Sequence, residues 1–192
     1  MNSDIKLTNC QITNSGYYNA YLVAGGSYDF YHCTIANYYG LDYNANREEM
    51  PCLIVSNALV DGSLVYFNPL KSANFYNCIV DGNMENEMAF VKKEDVCFNV
   101  GFNNCVLKAN NSIVDDFPAS FNACLFNDTV KYKSIKRWDY NFAPDSGSVV
   151  INRGNIDFIN SDKLQFDIEG NSRIHDENPD IGAYEWMGEG DL

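Results

Sequence analysis

The 192-residue chain is 46% apolar, enough for one packed domain and thin for two. Thirteen Lys and Arg against 26 Asp and Glu leave a formal charge of −13, so the field of the molecule repels polyanions and nucleic acid is not an expected partner. No run approaches the roughly 18 to 20 apolar residues of a membrane-crossing helix, and the start MNSDIKLTNC lacks the basic region and apolar run of an export signal, so no membrane insertion by this chain is expected.

Five segments repeat one pattern around a cysteine. In chain order they are IKLTNCQI from Ile5, YDFYHCTI from Tyr28, ANFYNCIV from Ala73, VGFNNCVL from Val100 and ASFNACLF from Ala119. Each alternates apolar and polar residues with period 2, skips one residue before Cys, and then resumes the alternation, as a strand, a sharp bend and a second strand would. The expected inward sets are Ile5, Leu7, Cys10, Ile12; Tyr28, Phe30, Cys33, Ile35; Ala73, Phe75, Cys78, Val80; Val100, Phe102, Cys105, Leu107; and Ala119, Phe121, Cys124, Phe126. The skipped residues are Asn9, His32, Asn77, Asn104 and Ala123, and Asn is the side chain that best tolerates a left-handed bend.

Successive repeat cysteines lie 23, 45, 27 and 19 residues apart. The spacing predicts an all-β fold, a right-handed parallel β-helix with coils of about 22 residues, the 45-residue interval covering two coils with a degenerate copy near PCLIVSNALV. Residues 1–127 form the coils in this reading, and 128–192 form a C-terminal cap of the same domain. Stacked thiols at the coil spacing are too far apart for disulfides and are expected to be free packing groups. No CxxC occurs and only His32 and His175 are available, so no metal site is expected. Cys52 and Cys97 fall outside the repeat.

Between the repeats, several tyrosines leave the inward register: Tyr17, Tyr18, Tyr21, Tyr31, Tyr38, Tyr39 and Tyr43. Exposed Tyr rings stack on sugars and hydrogen-bond their hydroxyls, which makes Tyr17, Tyr18, Tyr38 and Tyr39 the candidate glycan-binding residues. The alternative is that these rings pack a loop on the wall of the fold. MENEMAFVKKEDV from Met84 has the makings of one short helical turn. Asp115 and Asp116, expected in a loop, with Glu94 and Asp95 one coil away, form an acidic set suited to acid/base hydrolysis or Ca²⁺, although nothing in the spacing indicates a bound cation. Lys92, Lys93, Lys131, Lys133, Lys136 and Arg137 form the basic set that a polysaccharide lyase needs. Phosphate-loop, HExxH and GxSxG motifs are absent, and no residue stands out as catalytic.

The ending is the most distinctive stretch. Asp167, Gly170, Asn171 and Arg173 in a D-x-x-G-N-x-R segment precede DIGAYE, Asp180 to Glu185. Together with GGSYDFYHCTIANYY, ANFYNCIVDGNMENE, FNNCVLK and DYNFAPDSGSVVINRGN, this resembles the C-terminal half of Bacteroidetes right-handed β-helix surface proteins. The chain departs from that family at SVVINRG, Ser148 to Gly154, where members commonly carry Ser-Pro-Ala-Ile-Asp-x-Gly. The resemblance implies a pectin-lyase-like solenoid, an extracellular or outer-surface location for the full-length protein, and a poorly defined activity; from the residues themselves no cofactor is expected, and a polysaccharide or other glycan is the expected partner. An apolar first coil with nothing before it leads us to expect further coils in a longer parent chain. In the ending, Ile181 and Ala183 are expected to close the core, Tyr184 and Trp186 to cover the outside, and Arg173 to pair with Asp180 or Glu185. The leading expectation is a non-catalytic, glycan-binding scaffold; the alternative is a polysaccharide lyase or glycoside hydrolase with its site partly on missing coils.

Overall fold

A computed structural model of the chain describes residues 3–41, 47, 50–93 and 95–188. Tyr43 and Glu94, singled out above, lie outside the described residues. The chain opens with strands β1 (Asp4–Thr8), β2 (Gln11–Thr13) and β3 (Ala20–Leu22). Strands β4 (Gly26–Tyr31), β5 (Thr34–Asn37) and β6 (Leu53–Ser56) pair in parallel on β1, β2 and β3 in turn. An antiparallel hairpin, β7 (Ala58–Asp61) with β8 (Leu64–Phe67), interrupts the pattern. It resumes with β9 (Leu70–Tyr76), β10 (Ile79–Gly82) and β11 (Met88–Val91), which pair in parallel on β4, β5 and β6. Strands β12 (Phe98–Asn103) and β13 (Val106–Leu107) continue the first two sheets, and helix α1 (Asn111–Asp116) follows them. Strands β14 (Phe121–Asn122) and β15 (Leu125–Phe126) are the last members of those sheets. A second hairpin, β16 (Tyr132–Ser134) with β17 (Asn141–Pro144), leads into the terminal segment. The molecule is thus mostly strand with very little helix, and its main sheets are parallel: β1-β4-β9-β12-β14, β2-β5-β10-β13-β15 and β3-β6-β11.

The predicted bends are where the first sheet passes into the second. Asn9, His32, Asn77, Asn104 and Ala123 all have φ between 49° and 56°. Turning there costs no ladder bonds, because the amides of Asn9, His32, Asn77 and Asn104 still donate to the carbonyls of Tyr31, Tyr76, Asn103 and Asn122 in the next layer. The following cysteine fills the inside of each bend. The Cys78 thiol donates to Tyr76 and Phe30 carbonyls, and its sulfur accepts from the Cys33 amide; Cys105 repeats the arrangement with Asn103, Phe75 and the Cys78 amide. All seven cysteines are free thiols. Inside, Phe30, Phe75 and Phe102 stack with ring centroids 4.6 and 4.3 Å apart, each removed from water, which contributes roughly 1.5 to 3 kcal/mol per ring.

Three expectations need correction. The 45-residue interval is a single layer, because Tyr28 pairs directly with Ala73 and Ile35 with Val80. PCLIVSNALV supplies β6 and the start of β7 instead of a repeat copy; the extra length is the segment after β5 and the β7–β8 hairpin. The stretch from Met84 makes no helical turn, since Met88 to Val91 pair with Leu53 to Ser56, and parallel pairing outweighs a weak helical pattern. Asp115 and Asp116 lie in α1, not a loop, capped by the Asn110 side chain accepting from Ile113 N–H. The inward sets are fully buried only in the copies from Tyr28 and Ala73: Val100 is partly buried, Ile5 at one end is 43% exposed, and Ala119 at the other is exposed in a 3-10 turn.

Residues 130–186 lie along the side of the stack. The outward residues Ala36, Ile79 and Val106 of the second sheet are covered by Val130, Tyr132, Phe142, Val150 and Ile181 in a second core. Ile181 and Ala183 are buried as expected, but against this outer face: Gly182 N–H donates to Asn77 O, and Ala183 N–H to Thr34 Oγ1. Only glycine fits at 182, where φ is +106° and a Cβ would sit 2.6 Å from Ile79 Cδ1.

Candidate functional site

The connection from β2 to β3 carries Tyr17 and Tyr18, and β3 itself carries Tyr21. It is held from beneath by amide side chains: Asn19 Nδ2 donates to Ile12 O (2.8 Å) and Ala36 O (2.9 Å), and Asn37 Nδ2 donates to Ser15 O (2.9 Å) and Tyr17 O (3.2 Å). Above this fixed backbone Tyr17 is 59% and Tyr21 47% exposed, and the rings of Tyr18 and Tyr21 lie 5.1 Å apart at 50°. Tyr39 is half-buried beneath Gly16, close enough that a Cβ there would stand 3.9 Å from the ring. From Leu7 to Tyr28 the sequence has no charged side chain. The result is an aromatic surface on a hydrogen-bonded backbone that offers π-faces and phenolic hydroxyls, on a segment that itself carries no charged side chain.

Tyr38 does not share that surface. It is buried, and its hydroxyl donates to Asp81 Oδ2 at 2.7 Å. Burial, and then the neighbouring Asp81, pushes the Tyr38 phenol up, while burial pushes the Asp81 carboxyl above the usual range. Lys108 Nζ donates to Gly82 O nearby, and these groups with Asn127, Asp128, Thr129 and Val130 line a cavity of about 110 Å³. That volume holds a few waters but no sugar ring.

On the outward face of the first sheet, Tyr31 and Tyr76 stack at 4.6 Å, with Lys6 Nζ 4.6 Å from the Tyr31 centroid. Phe158 of the terminal segment closes on Tyr76 at 5.0 Å, so this pair is packing. Of the acidic set, Asp115 and Asp116 are exposed on α1 and Asp95 is exposed beyond β11. Of the basic set, Lys133 points outward from β16, Lys131, Lys136 and Arg137 sit beside that hairpin, and Lys93 lies 5.5 Å from the Phe67 ring.

A buried polar cluster joins the terminal segment to the stack. Arg173 pairs with Glu185 and donates to Asn9 Oδ1 and Gly182 O, both at 3.0 Å. Asp167 accepts from the amides of Glu169, Asn171 and Glu185, and Asp180 from those of Asn152 and Trp186. His175, Asp176 and Glu185 bring ligand-type atoms within 4.8 Å of one another. Glu185 is already committed to Arg173 and to Asp180 N–H, so it clasps the terminal segment.

One exposed feature escaped the sequence reading. The β7–β8 hairpin shows Val60, Leu64, Val65, Tyr66 and Phe67 to solvent at 43% or more. Its signal was present as an Asp-Gly turn, Asp61 and Gly62, between two apolar runs. Searches with this chain against protein-family models, curated proteins and solved structures returned no match.

Proposed function

We propose that this chain is a right-handed parallel β-helix that acts as a non-catalytic glycan-binding scaffold at the cell surface or outside the cell. The β-helix reading is supported by three parallel sheets visited in the same order in successive layers, joined by left-handed bends at equivalent positions. Right-handedness is the rule for parallel crossover connections. The residues from 128 onward are then the covering part of the same domain, laid along the coils.

The observation that carries the binding reading is the exposed tyrosine surface of Tyr17, Tyr18 and Tyr21 on a segment that carries no charged side chain of its own. Exposed aromatic rings suit recognition of the C–H faces of sugars. The alternative is a polysaccharide lyase or glycoside hydrolase with its site partly on further coils, which would draw on the acidic and lysine sets; the separate cavity at Tyr38, Asp81 and Lys108 is too small for a substrate ring. The test is incubation with a panel of plant, host and bacterial polysaccharides, with and without Ca²⁺, scoring both bound glycan and new chain ends. We expect retention of at least one polysaccharide, lost when Tyr17, Tyr18 and Tyr21 are all replaced by Ala, and no new ends. New reducing or unsaturated ends, or binding indifferent to those replacements, would overturn the proposal.

A further inference from the structure

We infer that the β7–β8 hairpin forms a pocket for one neutral hexopyranose unit, built from Tyr66, Leu59, Asp61 and Asn68 over Ala24. The inference deepens the glycan reading and rests on it for the source of that sugar. Pairing of Leu59 with Tyr66 and of Asp61 with Leu64 puts these four side chains on one face of the hairpin. With Asn68 and the corner residue Ala24, Leu59, Asp61 and Tyr66 enclose about 360 Å³, within the range of small-ligand sites.

The base of this pocket is preformed. Asn68 N–H donates to Asn57 O at 3.0 Å, and Gly26 N–H donates to Pro69 O at 3.1 Å, tying the hairpin to the corner beneath it. Gly25, at φ +82°, makes that approach possible, because a Cβ there would stand 2.5 Å from Pro69 O and 2.9 Å from Asn68 Cβ. Little ordering is therefore left for a ligand to impose.

The lining selects the ligand class. Tyr66, 47% exposed, and Leu59 offer an apolar floor to the C–H face of a pyranose. The Asp61 carboxylate accepts from two adjacent hydroxyls, and the Asn68 amide both donates and accepts. A wholly apolar ligand would strip water from Asp61 without replacing it. A uronate or phosphorylated sugar would face Asp61, no cation in the lining, and a chain of net charge −13. Strand β6 leads into the hairpin and pairs with β3, which carries Tyr21, and Ala24 lies two residues after β3. Pocket and tyrosine surface thus lie at the same sheet, as a subsite and a platform for one glycan would.

The experiment labels the protein with 3-fluorotyrosine, assigns the Tyr66 resonance by its loss in Tyr66→Phe, and titrates methyl glucoside, methyl galactoside, methyl mannoside and methyl glucuronide. We expect a saturable shift of the Tyr66 resonance with at least one neutral glycoside at millimolar concentration, weakened about tenfold by Asp61→Asn, and none with the glucuronide. No saturable shift with any neutral glycoside, indifference to Asp61→Asn, or an equal response to the glucuronide would overturn it. If a polysaccharide binds through Tyr17, Tyr18 and Tyr21 while Tyr66 stays silent, the pocket falls and the surface stands. If Tyr66 responds while no polysaccharide binds, the reverse holds.

Discussion

At the five bends the chain requires a left-handed residue, and asparagine does more there than tolerate the dihedral angles. Asn77 exchanges hydrogen bonds with the backbone of Asn155, donating to its carbonyl and accepting from its amide, and Asn104 and Asn9 donate to Arg153 O, Lys163 O and Phe166 O. The bend side chains therefore anchor the terminal segment, whereas the exposed Ala123 carries the strain of φ 52° with no such return. The same class of substitution should have opposite signs at the two positions. Ala123→Gly should stabilise by about 1 kcal/mol, while Asn77→Gly should destabilise by about 2 kcal/mol through lost hydrogen bonds, both read from urea midpoints. Two shifts of one sign would remove the anchoring role. The thiols inside the bends give a second check. Burial pushes the Cys52, Cys78 and Cys105 thiols well up, Cys97 is exposed, and Cys124 is held below the usual value by the Cys105 thiol beside it. Labelling of the folded protein with an aromatic disulfide reagent should modify Cys97 first and Cys124 next, sparing Cys52, Cys78 and Cys105 until unfolding.

Among the elements, what could be read from the sequence was what repeats. Alternation broken at one residue before each cysteine located β4 with β5, β9 with β10 and β12 with β13, because the inward period and the bend are both local properties of a few residues. The third sheet was not legible: β3, β6 and β11 have three or four residues each, too few for a period, and their register depends on neighbours far along the chain. The same reason turned the long cysteine interval into two imagined layers. Of the candidate site, Tyr17 and Tyr18 could be seen, but Tyr38 could not be told from them, since its burial comes from Asp81 and a terminal segment many residues away. A single layer with a hairpin inserted makes a distinct prediction. Asn57 and Asn68 are already joined by a hydrogen bond of 3.0 Å across the hairpin base, so excising Ala58–Phe67 and linking them through two glycines should preserve one cooperative unfolding transition. Excision of Leu53–Ser56, which removes the middle strand of the third sheet, should abolish it. Loss of folding in the hairpin excision would mean that the hairpin belongs to the core.

For the molecule as a whole, the question is how the terminal segment stays on the stack, and its buried ionisable groups supply a handle. Burial, and then Asp180, pushes Glu185 from 4.5 up to about 8, and burial pushes Asp180 from 3.8 up to about 6. A carboxyl that holds its proton more tightly in the folded chain stabilises the fold at low pH, and this contribution is lost as pH rises through the folded value. His32, from the bend beneath, acts in the opposite direction: burial, and then Arg173, holds its imidazole well below 6.5, so its contribution is intact above 6.5 and lost as pH falls. The groups facing Glu185 are Arg173 and Asp167 on its own segment, Asp180 beside it, His175 and Asp176 at the rim, and His32 and Asn9 from the stack. Well above pH 6.5 His32 is neutral whether the chain is folded or not, so the loss at Glu185 dominates. The urea midpoint should therefore fall from about pH 7 to just past pH 8, with growing repulsion in a chain of charge −13 acting in the same direction. Glu185→Gln separates the two causes. It should change the midpoint little at pH 7, where Glu185 still holds its proton and Gln resembles the neutral acid, and flatten the decline above it. A decline as steep in the variant as in the parent would assign the pH dependence to net charge and leave the clasp a pH-insensitive fastening.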